Sequence, residues 1–536
     1  MDGTGRVTRD CTDAGGQVSC RRLCLLNILL GGEWRLGVAG SAEHTMAEKA
    51  TIILFSHVSN THSITGAEKL LLFFTRELSL YFNCILVAPQ EGKMTRQARK
   101  WGLRVELLPI PLVYGMYTPY PGLPADIAKF QESREYAELT GWLAANRPAF
   151  IISSTCVHAL PAIAAKSLGI PVIWKISETI TESEYTFLSV ELIDRYSDEI
   201  LTISHTVGAC FPQEMRDAKV TLLPPSWNEQ DLVIEGWSTL RAERRRELGI
   251  SPGEPLVGYI SSFINKEKGL EHFVKMAVLV SAEHPKARFM AIGAPGDKSY
   301  YERCVKKVKL EGLSSRFRFA DYEEFLPSAY CAMDLLVVPS LIREGFGMTA
   351  LEGFAFGKPV VAYDSGGLRE ILTNAGCEAQ LVPAENIGAL AESVNALLAD
   401  QGRAAILGAM ARERIVAAYG PGAYQLRLYG LAERWTYRYA SRLPAAAPEP
   451  AAADPAPGPE AGADAVPAAA NAPRGIPARR AGRAKGPRRG RRRGKIRARR
   501  RKRPGRRVRA AKRARKAVRG GRRRTGRAAK RRKRAA

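Results

Sequence analysis

No apolar run in this chain approaches the roughly eighteen residues that a membrane-spanning helix needs, so no such helix is expected. The nearest candidate, RRLCLLNILLGG from Arg21 to Gly32, is short, carries its arginine pair too deep and is followed by no clean small-residue cleavage site, which argues against a secretion signal. Among nine cysteines, an odd number, there is no C-x-x-C pair and no His-bearing metal spacing. Disulfides and structural zinc are therefore not expected, and thiols such as Cys84 in NCILVAP read as small buried hydrophobes of a reducing compartment. A G-x-S-x-G elbow is missing, which argues against a Ser-His-Asp hydrolase of the α/β type. No G-x-G-x-x-G follows a strand-like run, which argues against a dinucleotide-dependent dehydrogenase.

The formal net charge of +28 suggests a polyanionic partner until the charge is located. Of 81 lysines and arginines, 34 fall between Asn471 and Ala536, where there is no acidic and no aromatic residue. The other 470 residues hold 47 basic against 53 acidic side chains, so the body of the chain is mildly acidic.

Five segments follow from composition. Residues 1–45 are Gly-rich, Cys-bearing and without sustained periodicity, and are expected to be either disordered or an over-extended start ahead of MAEKATIILFSH. Residues 443–473 form a Pro/Ala linker, and 474–536 a basic tail expected to be disordered because like charges repel and almost nothing apolar can be buried. Between these ends the chain alternates short β-branched runs with helical patterns, the signature of parallel sheets with crossover helices. The runs TIILFS, NCILVAP, RVELLPI, FIISST, PVIWKI, EILTIS and KVTLLPP predict one domain over 46–225. LVGYISS, RFMAIG, RFRFA, DLLVVPS and PVVAYD predict a second over 226–442. The expected fold class is α/β, with two doubly wound Rossmann-like domains facing a cleft. Ligands of such sheets bind at the carboxyl ends of the strands, so functional residues are sought there.

One strand end stands out. After DLLVVPS the chain turns through LIREGFG into a helix, MTALEGFAFG, that stops at Gly357 before Pro359. Gly345 and Gly347 would allow the backbone close to a ligand, and the amides of the helix start favour an anion such as phosphate. Glu352, more than a turn inside the helix, offers two acceptor oxygens to a vicinal diol, and Glu344 would lie nearer the other end of the same ligand. An acidic first turn that merely complements the helix dipole is the alternative.

The stretch PSLIREGFGMTALEGFAFGKPVVAYDSGGLREIL resembles the E-x(7)-E signature and trailing segment of the family 4 glycosyltransferases of the GT-B fold. A looser similarity runs from about Ala50 to Tyr439, where GAEKLLLFFTREL resembles the family's glycine-rich turn and first helix, and GYISSFINKEKGLEHF its KG element. The resemblance implies a nucleotide-sugar donor, retention of anomeric configuration and no metal or cofactor. It would place Glu344 beside the donor sugar as the catalytic residue, contacting its hydroxyls or supporting the positive charge that develops at the anomeric carbon, Glu352 on the ribose, the amides of Gly345, Phe346, Gly347 and Met348 around the phosphates, and Lys268 on the leaving diphosphate. Gly66, Ala67 and Glu68 would line the acceptor side opposite. The family's arginine about five residues before the lysine is absent, since Ser262 and Phe263 occupy that ground, and Arg343 is a candidate substitute. The histidine expected after the fourth strand falls at Thr155, with His158 three residues late, and only the acid of an HE pair survives, at Glu178. Glu370 matches a recurrent family acid.

Two functions remain open at this level. The first is a retaining hexosyltransferase acting on a cell-envelope glycan or lipid-linked acceptor, cytoplasmic and peripheral at the inner membrane surface. The second is an inactive GT-B scaffold that binds polyanions through its tail. The tail's expected partners are an anionic membrane, an acidic polymer or nucleic acid, without base stacking because aromatics are missing.

Overall fold

The apolar runs form two sheets whose strands all pair in parallel. In the first, β1 (Thr51–Phe55), β2 (Asn83–Ala88), β3 (Arg104–Leu107), β4 (Phe150–Ser154), β5 (Val172–Ile176), β6 (Glu199–Thr202) and β7 (Val220–Leu222) lie in the order β3-β2-β1-β4-β5-β6-β7. In the second, β8 (Leu256–Ile264), β9 (Arg288–Pro295), β10 (Phe317–Ala320), β11 (Leu335–Val338), β12 (Val360–Tyr363) and β13 (Leu381–Val382) lie in the order β10-β9-β8-β11-β12-β13. The structure, a computed structural model, describes residues 49–440 apart from 62, 63, 230, 231, 233, 322 and 324. The expectations for 1–45, 443–473 and 474–536 lie outside the described residues.

The two-domain α/β architecture follows the sequence reading. Helices cover both faces of each sheet, so central strands are apolar on both sides, and every residue of β4 and β5 is buried. Strand order reverses between β1 and β4 in the first sheet and between β8 and β11 in the second. A cleft forms outside the strand ends at such a reversal, because the helices on either side depart in opposite directions. The loops after β8 and β11 therefore carry the second domain's side of any site.

One boundary differs from the expectation. The segment 226–442 does not all fold into the second domain: its last helix, Pro421–Trp435, packs on the first. Tyr424 lies against Phe73, and Trp435 and Tyr439 against Phe150 of β4. The Trp435 Nε1 donates to buried Glu199 at 3.0 Å, and Arg434 pairs with the same carboxylate. The preceding helix, Gln401–Tyr419, packs in the second domain's core, so the chain crosses back between domains at Gly420. Among the described residues no helix is long and apolar enough to cross a membrane.

Candidate functional site

At the end of β8, Asn265 begins a single turn of 3-10 helix over Lys266–Lys268, its side chain accepting from the Lys268 amide at 3.1 Å. The buried Tyr259 hydroxyl donates to the Lys268 carbonyl at 3.1 Å, and the Leu341 amide donates to the Glu267 carbonyl at 2.8 Å. These contacts tie the turn to the loop after β11. They aim Lys268 Nζ at Glu344 Oε1, 2.6 Å away, while Ser340 Oγ donates to the same oxygen at 2.7 Å. The two residues that the resemblance places on opposite parts of a donor thus form one partly buried ion pair at the strand reversal.

Beyond Glu344 the chain turns into the helix Met348–Ala355. Glu352 lies on its cleft side, where the Tyr330 hydroxyl donates to Oε2 at 2.7 Å. Burial and the neighbouring carboxylate hold that phenol far above the usual tyrosine range, so it stays a donor. Glu352 and Met348 line two cavities between the domains, one of about 110 Å³ and one of about 550 Å³. The smaller is bounded by the ends of β8 and β9 at Ser261–Phe263 and Gly293–Ala294, and by Thr349. Sequence reasoning passed over Thr349 and the β9 end, although both sit where the strand-end rule directs attention.

One expectation in the turn changes, that for Arg343. The Phe346 side chain is buried against Tyr419, with ring centroids 5.5 Å apart, so only its backbone faces a ligand. Gly345 is explained by the opposite domain: a Cβ there would meet the Ser177 carbonyl at 2.5 Å, and Ser204 Oγ donates to the Gly345 carbonyl at 2.6 Å. Gly347 has φ of 107°, in the region that favours glycine, and an added Cβ would meet Leu368. Both glycines are accounted for by packing. Arg343 does not substitute for the missing arginine, because its guanidinium pairs with Glu182 of the first domain while Thr179 Oγ1 donates to its carbonyl at 3.0 Å.

The first domain's wall changes too. TGAE at 65–68 is a capping box: the Glu68 amide donates to Thr65 Oγ1, and the Glu68 carboxylate accepts from the Thr65 amide at 2.8 Å. Asn60 donates to both Glu68 oxygens from its amide and its side chain. Glu68 is therefore 1 % exposed and holds the loop after β1 in shape; it does not face the acceptor side. Gly66 lines the smaller cavity, Ala67 lines neither, and Lys69, one residue beyond the motif, lines both.

Glu370 joins the domains. Its carboxylate accepts from the amides of His205 and Thr206 at 3.0 and 2.6 Å and from Thr206 Oγ1, capping the start of a first-domain turn. Glu178 is partly buried, accepting from the amides of Cys156 and Ser177 at 3.3 Å, and desolvation raises its carboxyl above the ordinary value. The adjacent buried Lys175 is lowered by burial to about 8 and donates to Ser177 Oγ at 3.1 Å.

His158 is a core residue, 1 % exposed, with its ring edge-on to Phe55 at 6.0 Å. Burial, reinforced by His57, lowers it to about 3. An unfolded histidine titrates near 6.5, so below that pH the unfolded chain binds a proton that the fold refuses. The contribution is complete above pH 6.5 and is lost as pH falls toward 3. Thermal midpoints measured from pH 7.5 to 4.5 should fall, and His158→Gln should flatten that fall; an unchanged slope in the variant would assign the acid sensitivity elsewhere.

Among the described residues no group of three or more His, Cys, Asp or Glu side chains is arranged to hold a metal ion.

Residues 241–414 match the family model described as glycosyl transferases group 1. A lipopolysaccharide core biosynthesis mannosyltransferase, LpsB, of Rhizobium meliloti is 32% identical over 172 residues, which are 32% of this chain and 48% of that protein. A D-inositol 3-phosphate glycosyltransferase of Nocardia farcinica is 32% identical over 174 residues, 31% of this chain and 38% of that protein. The chain thus spans half or less of the length of these two relatives. Among solved structures, HepE of Anabaena in complex with UDP and glucose superposes with a TM-score of 0.58 at 18% identity, covering 72% of this chain and all of that one. WaaG, a glycosyltransferase involved in lipopolysaccharide biosynthesis, superposes with a TM-score of 0.52 at 14% identity, covering 72% of this chain and 99% of that one. The two-domain body has the GT-B fold of these structures, and its segment 241–414 is similar to the glycosyl transferases group 1 family.

Proposed function

We propose that the protein is a retaining glycosyltransferase of family 4 that moves a hexose from a nucleotide sugar to a cell-envelope glycan or lipid-linked acceptor. The observation that carries this reading is the Lys268–Glu344 pair at the β8/β11 reversal, with Glu352 of the following helix lining both cavities. In this arrangement Lys268 neutralises the leaving diphosphate, the amides from Gly345 to Met348 cradle it, and Glu352 receives the ribose hydroxyls. Glu344 supports the positive charge that develops at the anomeric carbon. The acceptor oxygen attacks that carbon on the face the diphosphate leaves; the carbon–oxygen bond to phosphate breaks with its electron pair, and the acceptor proton passes to a phosphate oxygen. Such a step depends on positioning more than on a protein base, which suits a site where Thr155 and Ser177 stand in place of histidines. LpsB is named for mannosyl transfer to a lipopolysaccharide core and HepE was solved with UDP, which supports a glycan-type acceptor and a nucleotide donor for this chain.

The basic segment 474–536 then serves as a tether to an anionic membrane or acidic polymer near the acceptor, in the cytoplasm. Full-length chain and a chain ending at 470 are to be compared in thermal-shift and transfer assays with UDP, GDP, ADP and their sugars. One diphosphate should raise the midpoint of both, and both should turn over a soluble acceptor. If no nucleotide stabilises either chain, the enzymatic reading fails. If only the full-length chain has any activity, and that activity is polyanion binding, the protein is a scaffold.

A further inference from the structure

Lys69 is the residue in this cleft whose place needs explaining. It sits on the first turn of the helix Gly66–Leu78, held at a fixed angle by the Thr65–Glu68 capping box at that helix's start. The side chain is exposed, and no ion pair or side-chain hydrogen bond to it is found among the described residues. It nevertheless lines both cavities, each of which is also lined by Glu352 and Met348 from the other domain. Across the smaller cavity the end of β8 presents Ser262 and Phe263, which bring no charge, and the other charged residues of its lining are the carboxylates Glu323 and Glu352, so Lys69 is the cation there. Arg343, the nearest spare guanidinium in sequence, is turned away toward Glu182. Lys268, the lysine that follows the β8 end, lines neither cavity and is engaged with Glu344.

We propose that Lys69 is the second cation of the donor site and binds the diphosphate of the nucleotide sugar from the opposite domain, in place of a charge at Ser262. This rests on the donor-site reading above. An ammonium on a flexible stem is suited to the task, because it meets a diphosphate as a point charge and tolerates the small shifts of a site built from two domains. The consequence is that donor binding draws the domains together: the helix start and Glu352 hold the ligand on one side and Lys69 on the other.

The test is calorimetric titration of the full chain with whichever of UDP, GDP and ADP the wild type binds most tightly, and with the matching nucleoside. Lys69→Ala should weaken the diphosphate about tenfold and leave the nucleoside unchanged, since a single charge-assisted contact is worth about that factor. Ser262→Arg added to Lys69→Ala should restore most of the diphosphate affinity by returning the cation to the β8 end. The proposal is overturned if Lys69→Ala binds the diphosphate like wild type, or loses diphosphate and nucleoside equally, or is not rescued by Ser262→Arg while that substitution alone binds normally. If the wild type binds none of the three diphosphates, the donor-site reading itself is what fails.

Discussion

Replacing Lys268 by alanine is expected to lower turnover about 100- to 1,000-fold, the usual effect of deleting one preorganised donor aimed at developing charge, with little change in stability. The two halves of that expectation have separate causes. Lys268 and Glu344 keep side-chain exposures of 30% and 18%, and an ion pair that water still reaches contributes only about 0–1 kcal/mol to folding. Its removal also leaves Glu344 with a partner, because Ser340 continues to donate to the same oxygen. The turn itself is held by Asn265, Tyr259 and the Glu267–Leu341 contact, none of which involves the lysine side chain. The loss should therefore appear in kcat, measured with saturating donor, while the unfolding midpoint moves by no more than a few degrees. Lys268→Arg is expected to recover only part of the rate, since a longer, planar fork spreads its charge and does not place it where the compact ammonium stood. Normal turnover in Lys268→Ala with every donor the wild type accepts would remove the lysine from the site.

The largest stability effect is expected far from the cleft. Trp435 is fully buried, and truncating a core tryptophan to alanine costs about 3–5 kcal/mol. Two features push it to the upper end. The ring fills the space against Phe150, and its N–H is a partner of the buried Glu199 carboxylate, which would be left with less compensation. Urea unfolding should show Trp435→Ala far less stable than wild type, and Trp435→Phe, which keeps a smaller aromatic ring and loses the N–H, in between. A midpoint within error of wild type for Trp435→Ala would mean that the Pro421–Trp435 helix is not part of the first domain's core.

That helix also shows where sequence reading stops. Strands such as FIISST and PVIWKI are legible because a strand buried on both faces needs a continuous apolar run and short turns around it. β13 escaped notice because two residues, Leu381 and Val382, carry no period. The apolar stripe of the helix Pro421–Trp435 is the same whichever sheet it covers, so its return to the first domain could not be read from pattern. The candidate site divides in the same way. Glu344, Glu352 and Lys268 stand out through fixed spacing within one domain. Arg343 was misjudged because its partner, Glu182, lies 161 positions away in the chain. Glu68 was misjudged for the opposite reason: the T-x-x-E pattern that makes it a helix cap was present in the sequence, and its local role outranked a place in the cleft. Lys69 stands inside GAEKLLLFFTREL with no role given to it by the resemblance, and the shared cavity picks it out.

The return of the chain at Gly420 means that two covalent strands, not one, join the halves of the molecule: the segment after β7 and the junction between the Gln401–Tyr419 and Pro421–Trp435 helices. A single tether would leave one body free to swivel about three axes relative to the other. A door hung from two points turns about one line. Two crossings thereby favour rotation of the halves about the line that joins them over other relative movements.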